Sequence, residues 1–520
     1  MSSQECNSLL AQHEQMVKGL CQYLAGSGSA KPGQGSDINV MQTHISTVIL
    51  AGDFAYKIKK PLCLPFLDFS SLESRRHFCL KELDINRRTA SELYLDVLPV
   101  TGSINTPQID GQGPVIDWLV KMRRFDSHFE FSVLAREGKL AFQLIESLAL
   151  HLAHFHAALP RLQKRQIPSK TTLHWVQESF DEIKVQAAFK ELPEAAEWQD
   201  LRQNLENRFN SLAGLREQRI SRGFFRPCHG DLHLGNIVLW QNRVMAFDAL
   251  EFDEALRNID IVNDIAFTFM DLLAAGLSEA ASRFVNIYME ESGDYEGLLL
   301  LPVYAAYRAL VRAKILLMKG DTAAFSRYWG LAKKMVNPAA GPQLVLVSGL
   351  SGSGKSTVAQ LLADYTGGIR IRSDVERKRL YKTMRQTKEW LYSAQASRRT
   401  YSRLLALAQT VLEAGYTVIV DAVFLRHADR EQFQHLATRL GVPFKMIGCM
   451  APEGVMKERI VKRAETGSDP SDATPAVLDS QIAKQEPVPV EWQPFTSGIV
   501  NDGTLADLKE KVQRLVIGLP

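Results

Sequence analysis

Leu344 to Asp364 reads LVLVSGLSGSGKSTVAQLLAD. Apolar and β-branched residues run into a glycine-rich turn, and helical periodicity follows. The turn Gly349-Leu-Ser-Gly-Ser-Gly354-Lys355-Ser356 fits G-x-x-x-x-G-K-[ST] in full. Gly349, Gly352 and Gly354 admit backbone angles closed to other residues, so successive N–H groups can converge. Those groups and the positive start of the next helix make an anion seat. Ser351, Ser353 and Thr357 complete the loop set. Lys355 adds a charge at the outer phosphates, and Ser356 offers a hydroxyl to Mg²⁺. A strand before and a helix after are the context the motif needs. The segment is therefore expected to bind a nucleoside triphosphate on a parallel α/β sheet.

Working outward toward the carboxy terminus, GGIRIRSDVERKRLY predicts a short strand ending at Ser373-Asp374, after which Arg377 and Lys378 begin a helix. Ligands of open α/β sheets gather at the carboxyl ends of strands. Asp374 is thus placed to orient an acceptor hydroxyl and Arg377 to meet substrate or phosphate, although a helix cap alone would explain Ser373-Asp374. GYTVIVDAVFL predicts a buried strand ending in Asp421, a Walker-B-type acid for the Mg²⁺ shell. MKERIVKRAETGSDPSDATP puts Arg459 and Arg463 one helical turn apart before a polar loop. That pattern suits a mobile lid whose arginines reach the transferred phosphate, and equally an exposed basic helix. IVNDG, residues 499–503, resembles the last strand and turn of nucleotide-kinase-like folds.

The rest of the chain is long enough for about three lobes at roughly 150 residues each. Its 46% hydrophobic and 23% charged content is that of a globular protein. With Lys plus Arg at 61 against Asp plus Glu at 58, the net charge of +3 gives no electrostatic case for nucleic acid or membrane. The six cysteines lack paired spacing and suit a reduced compartment rather than a disulfide framework or zinc site. The amino terminus lacks the basic start and apolar core of a signal peptide, and Leu298–Met318 is interrupted by Pro302, Arg308, Arg312 and Lys314. A cytoplasmic protein is expected. The Gly- and Ser-rich stretch Gly26–Asp37 reads as a flexible connection, with a phosphate-covering loop as the alternative, and Val336–Gln343 as a linker.

THISTVILAG and DFAYKIKK predict two strands around a Gly52-Asp53 turn. Phe54, Tyr56 and Ile58 alternate with Ala55, Lys57 and Lys59, so two lysines share one strand face. They belong either to a solvated edge or to a nucleotide phosphate. Glu82, on the following helix, is either a surface acid or the partner of a strand lysine, as in protein kinases. Val115–Met122 reads as a strand with a hinge after it, and residues 130–214 as mostly helical. His151, His154 and His156 share one such helix and read as core or capping histidines, since no carboxylate or cysteine accompanies them in sequence.

Arg226 to Asp253 reads RPCHGDLHLGNIVLWQNRVMAFDALEFD. Phosphoryl transfer to a hydroxyl needs a carboxylate to take or orient the proton and two ligands for Mg²⁺. Asp231 fits the first role, and Asn236 and Asp248 the second, in the order of H-R-D-x-x-x-x-N and D-F-G. Gly230 replaces the arginine of that motif, and Ala249-Leu250 follows Asp248 in place of Phe-Gly. The acids Glu251, Asp253, Glu254 and Asp260 could suit a cationic acceptor, although two of them fall in the motif's own metal neighbourhood. Arg308 and Arg312 form either an anion-binding pair or a salt-bridged helix face.

HGDLHLGN followed by FDALEFD resembles the aminoglycoside phosphotransferase and choline kinase group over roughly residues 40 to 330. THIS, AYKIKKP, FLDFSSLESRRHFC, ELDINRR and YRALVRAK further resemble bacterial proteins that fuse such a domain to a P-loop kinase domain. Residues 342 to 518 resemble the gluconate kinase, adenylylsulfate kinase and zeta-toxin branch, without the extra helical lobe of AAA+ machines. The resemblance implies an α+β protein-kinase-like fold followed by a three-layer α/β P-loop kinase, with boundaries 1–123, 124–337 and 338–520. It makes Asp231 the catalytic aspartate, Asn236 and Asp248 metal holders, Lys57 the strand lysine with Glu82 its partner, and Asp264 the brace of the catalytic loop. Lys59 stays a rival for Lys57. No glycine-rich nucleotide loop of the protein-kinase kind is visible. The function implied is a tandem ATP- and Mg²⁺-dependent transfer to small-molecule hydroxyls. The alternatives are a nucleotide-binding regulator without transfer, and a toxin-like kinase acting on a nucleotide or nucleotide sugar.

Overall fold

Alternation decides the first sheet. In the strand Phe54–Lys59 the odd-numbered and even-numbered side chains face opposite ways, and five of its six residues are buried. Two helices cover the two faces. Helix Ser3–Gly26 sets Met16, Val17, Leu20 and Leu24 against Ile49, Tyr56, Ile58 and Leu119. Helix Leu72–Ala90 sets Cys79, Leu83 and Ala90 against Ala55, Val120 and Met122. Ser71 caps the second helix, its hydroxyl accepting the Ser74 N–H at 3.0 Å. Phe54–Lys59 lies inside a six-stranded antiparallel sheet, paired with Ser46–Ala51 and Val115–Arg123. The solvated-edge reading of Lys57 and Lys59 therefore fails, because the strand is central and its lysine face is roofed by a helix.

This computed structural model describes residues 3–26, 38–64, 67–338, 341–384, 390, 393–466 and 472–517. Most of the Gly26–Asp37 connection, two residues of the Val336–Gln343 linker and part of the loop after Thr466 lie outside them. Grouping by compactness gives two units. One comprises Met1–Leu144, His154–Trp175 and Gly214–Thr268; the other Ile145–Ala153, Val176–Ala213 and Phe269–Pro520. Among the described residues, no helix is long and apolar enough to cross a membrane.

In the first unit the strand Phe225–Pro227 pairs with Asn258–Asp260, and the hairpin Ile237–Trp240/Arg243–Ala246 carries the chain from the catalytic-loop motif to Asp248. In the second unit five parallel strands run in the order Ile369–Arg372, Val418–Asp421, Leu344–Ser348, Phe444–Met450, Thr496–Val500. Leu344–Ser348 and Val418–Asp421 are buried throughout, as parallel strands covered on both faces must be. Helices Lys355–Thr366 and Leu505–Ile517 pack Val358, Leu362, Leu508 and Val512 on this sheet. The same unit holds a helical layer in which Phe180, Phe189, Trp198, Phe325 and Trp329 stack edge to face or tilted.

Candidate active sites

The first site is built on the lysine strand. Lys57 Nζ lies 2.7 Å from Glu82 Oε1 and also donates to Asp248. Lys59 Nζ lies 2.7 Å from Glu82 Oε2 and also donates to Glu251. One carboxylate thus receives both lysines. The two lysines part at the cavity. Lys57 lines a cleft of about 1740 Å³ with Asn236, Asp248, Tyr94 and Met122, whereas the Lys59 side chain is 0% exposed. Burial alone would depress Lys57, but Asp248 and Glu82 outweigh it and hold it well above the usual lysine range. Burial likewise pushes Glu82 and Asp248 upward, yet the facing lysines keep both below the ordinary carboxylate range. Glu251 goes the other way, raised because burial exceeds the help it receives from Lys59.

The loop that carries His229, Gly230 and Asp231 is held from behind. Asp264 Oδ1 accepts the Gly230 N–H at 2.8 Å, and Oδ2 accepts the His229 N–H and His156 Nε2 at 3.0 Å each. His156 is thus a buried brace. His229 Nδ1 accepts the Asp231 N–H at 3.3 Å, so its Nε2 donates to the Phe247 carbonyl at 2.9 Å. Burial lowers the His229 pKa, which suits that neutral tautomer. Gly230 has φ +85°, and a Cβ there would meet the Leu256 carbonyl at 3.1 Å. The arginine of the protein-kinase motif would be strained at this position. Asn236 Nδ2 donates to Asp231 O at 3.0 Å and Oδ2 at 3.1 Å, which leaves its amide oxygen for a cation. Asp248 sits at φ +61°, and its N–H donates to the Tyr94 hydroxyl at 3.1 Å. A strained backbone at such a position belongs to a site over-determined by its surroundings. Asn236 and Asp248 offer hard oxygen donors on one wall, the kind Mg²⁺ prefers.

Sequence reasoning misassigned the nearby acids. Glu251 is spent on Lys59, and Asp253 caps the helix Glu254–Arg257. Glu254 meets Lys81 at 3.0 Å, and Asp260 takes Arg219 by two bonds of 2.7 and 2.9 Å. They are structural partners, and the cationic-acceptor reading of them fails. Sequence reasoning also missed Tyr94 and the apolar wall of Val48, Leu50, Ala55, Met122 and Phe247, which suits a flat base.

The second site follows the strand Leu344–Ser348. Gly352 and Gly354 have φ +83° and +88°. A Cβ would meet the Met456 carbonyl at 2.5 Å from Gly352 and Asn501 Nδ2 at 2.0 Å from Gly354. Only glycine fits this cradle. Asn501 Nδ2 and Cys449 Sγ support the Ser353 carbonyl at 2.9 and 3.2 Å. The Ser351 N–H donates to Gln481 Oε1 at 2.9 Å. Lys355 and Asp421 are nearly buried, at 8% and 3% exposed. Ser356 and Asp421 supply oxygen donors of the type Mg²⁺ takes.

Helix Ser373–Met384 starts at Ser373, earlier than expected, so Asp374 lies in its first turn with Arg377 Nη1 3.4 Å from Asp374 Oδ1. Asp374 and Arg377 line a cavity of about 760 Å³ with Ser351, Lys355, Arg398 and Tyr401. Arg459 donates to the carbonyls of Asn501 at 3.1 Å and Gly352 at 3.4 Å. It therefore props the phosphate loop instead of sitting on an exposed basic helix. Its helix Glu453–Thr466 packs Met456 and Ile460 on Leu478, and Arg463 is half-buried. Arg308 is buried with its guanidinium 5.2 Å from the Tyr307 ring, and Arg312 lies 5.9 Å from that of Tyr328.

A family model described as "Phosphotransferase enzyme family" matches residues 131–297, and one described as "AAA domain" matches residues 344–488. The uncharacterized protein Rv2004c of Mycobacterium tuberculosis is 30% identical over 462 residues, covering 86% of this chain and 90% of its own. A choline/ethanolamine kinase family protein from Mesorhizobium loti is 12% identical, with a TM-score of 0.40 over 62% of this chain and 96% of its own. A gluconokinase from Sinorhizobium meliloti is 20% identical, with a TM-score of 0.25 over 34% of this chain and 95% of its own. Phosphoryl transfer is the general chemistry of the two domain types. The chain belongs to the family of the mycobacterial protein, in which a protein-kinase-like phosphotransferase domain is joined to a P-loop kinase domain.

Proposed function

We propose that the chain is a tandem ATP- and Mg²⁺-dependent phosphotransferase of the cytoplasm, each half delivering the γ-phosphoryl to a hydroxyl of a small molecule. The supporting observation is an arrangement that occurs twice: a lysine and a carboxylate converge on one cavity, Lys57 with Asp248 in one case and Lys355 with Asp374 in the other. The functional divisions are taken near residues 123 and 337.

In the first half Lys57, oriented by Glu82, receives phosphate oxygens. Asn236 and Asp248 would hold the cation, and Asp231 takes or orients the acceptor's proton. In the second half the loop 349–357 cradles the phosphates, Ser356 and Asp421 would hold the cation, and Asp374 orients the acceptor hydroxyl beside Arg377. Arg463, one helical turn beyond Arg459, is assigned to the transferred group. When bound, the cation neutralises charge on the transferring phosphoryl group. Catalysis by the chain itself is then positioning and charge stabilisation. A cavity of about 760 Å³ supports a small molecule as the acceptor of the second half.

The test is incubation of the purified protein with γ-labelled ATP and a panel of sugars, sugar acids, amino alcohols and aminoglycosides, with mass detection of phosphorylated products. Label transfer to a hydroxyl compound supports the reading. Stoichiometric ATP binding with no product on any acceptor would instead favour a regulator.

A further inference from the structure

The metal side of the P-loop site is wired to a residue outside the P-loop segment. Helix Ser278–Ser292 carries Glu290, which falls within the stretch matched to the phosphotransferase family and within the second compact unit. Its Oε2 accepts Arg370 Nη2 at 2.9 Å, and its Oε1 lies 3.1 Å from Arg372 Nη1. All three side chains are largely buried, at 15%, 6% and 11% exposed. Each arginine then reaches the site. Arg370 Nη1 donates to the carbonyl of Ser356 at 3.4 Å, and Arg372 Nε lies 3.6 Å from Asp421 Oδ2.

The helix is fastened where it does this. Asn286 accepts the Arg370 N–H at 2.6 Å and donates to the Gly368 carbonyl at 2.9 Å. The Ser282 hydroxyl donates to Ala363 O at 2.7 Å, and Arg283 pairs with Asp364. Glu290 is therefore held in register with the strand Ile369–Arg372, whose end lies opposite Asp421.

We propose that Glu290 is a positioning residue that keeps Asp421 available to the cation of the P-loop site. This rests on the reading of Asp421 as a cation holder. Arg370 and Arg372 both face Glu290, and Arg372 also faces Asp421. Arg372 divides its guanidinium between Glu290 and Asp421. Without the Glu290 charge, the guanidinium closes onto Asp421 and occupies the lone pairs a cation needs, and the cluster gains a net positive charge beside that cation. The consequence is that the second phosphotransferase site depends on a side chain supplied by the first family segment.

The test uses the full chain in an Asp248→Ala background, which removes the first site's cation holder, and follows Mn²⁺ binding with ADP by electron paramagnetic resonance. ADP affinity in chelator is measured in parallel. Glu290→Gln is expected to weaken Mn²⁺ binding about tenfold, within the usual range for outer-shell partners. Metal-free ADP affinity should stay within about twofold. Adding Arg372→Gln should restore Mn²⁺ binding, a rescue that a purely structural role would not give. Unchanged Mn²⁺ affinity in Glu290→Gln, an equal loss in chelator, or no rescue by Arg372→Gln overturns the proposal. Asp421→Asn is the control for the underlying reading. If it leaves Mn²⁺ affinity unchanged, the cation-holder assignment falls and takes this proposal with it.

Discussion

The two lysines proposed to meet phosphate are kept in place by opposite means. Lys355 belongs to a contiguous loop, and its neighbours are fixed by glycine angles and by the strand and helix on either side. Lys57 is held by Glu82 from the next helix and by Asp248, 191 residues away. One site is written in a short stretch of sequence, and the other is assembled by the fold. A local site should fail through the loss of one group's chemistry. An assembled site should also fail through the loss of residues that never touch a ligand.

The largest expected effect is chemical. Asp231→Ala should lower turnover of the first activity by about 10²–10⁴, the usual contribution of a positioned proton acceptor. Steady-state rates with the acceptor found by screening give the answer, and an unchanged kcat removes Asp231 from its role. Next comes the fully buried lysine, Lys59. Lys59→Met leaves Glu82 and Glu251 buried without their shared cation, which should cost about 3–5 kcal/mol of unfolding free energy. Lys57→Met should cost less stability, because Glu82 keeps Lys59 and the other partner, Asp248, is 42% exposed on the side chain, and should raise the KM for ATP. Denaturant unfolding of the two variants side by side separates them. Equal destabilisation would erase the distinction between a site lysine and a buried support.

A smaller effect appears with pH. His13 is buried against the Thr47 hydroxyl at 2.9 Å, and burial, with Lys60 and Arg75 nearby, lowers its pKa to about 4. A depressed pKa means the unfolded chain binds the proton first. Stability is then full above the ordinary histidine value and is lost as pH falls toward 4, in total about 3 kcal/mol. His13→Gln should flatten the melting temperature of the first unit between pH 7 and 5, read by thermal scans at several pH values. The smallest effect is Asn501→Ala. Losing the bond to the Ser353 carbonyl should weaken ADP binding at the second site several-fold, at roughly 1 kcal/mol per such bond. Calorimetric titration of an Asp248→Ala background checks it.

The same contrast explains what could be read from the sequence. The phosphate loop and the run from His229 to Asp248 were legible because their residues and spacing are contiguous. The strand Phe54–Lys59 was legible from alternation, but alternation is blind to what covers each face, so a roofed central strand looked like a possible edge. The Lys59–Glu251 pair spans 192 residues, and no local pattern announces it. Glu251, Asp253, Glu254 and Asp260 read as an acidic patch because sequence shows charge without showing partners. The contacts of Arg459 with the Asn501 and Gly352 carbonyls were not legible for a similar reason, since an exposed basic helix and one packed on that loop have the same periodicity. His156 became intelligible only when the fold set it beside Asp264, 108 residues on.

The most direct measurement is product formation from ATP by the wild type, Asp231→Ala and Lys355→Ala, with each acceptor followed separately. The expected result is two separable activities: one product lost only in Asp231→Ala, and the other only in Lys355→Ala. A single substitution that abolishes both products, or a pair of substitutions that abolishes neither, would contradict the assignment of one phosphotransferase site to each half of the chain.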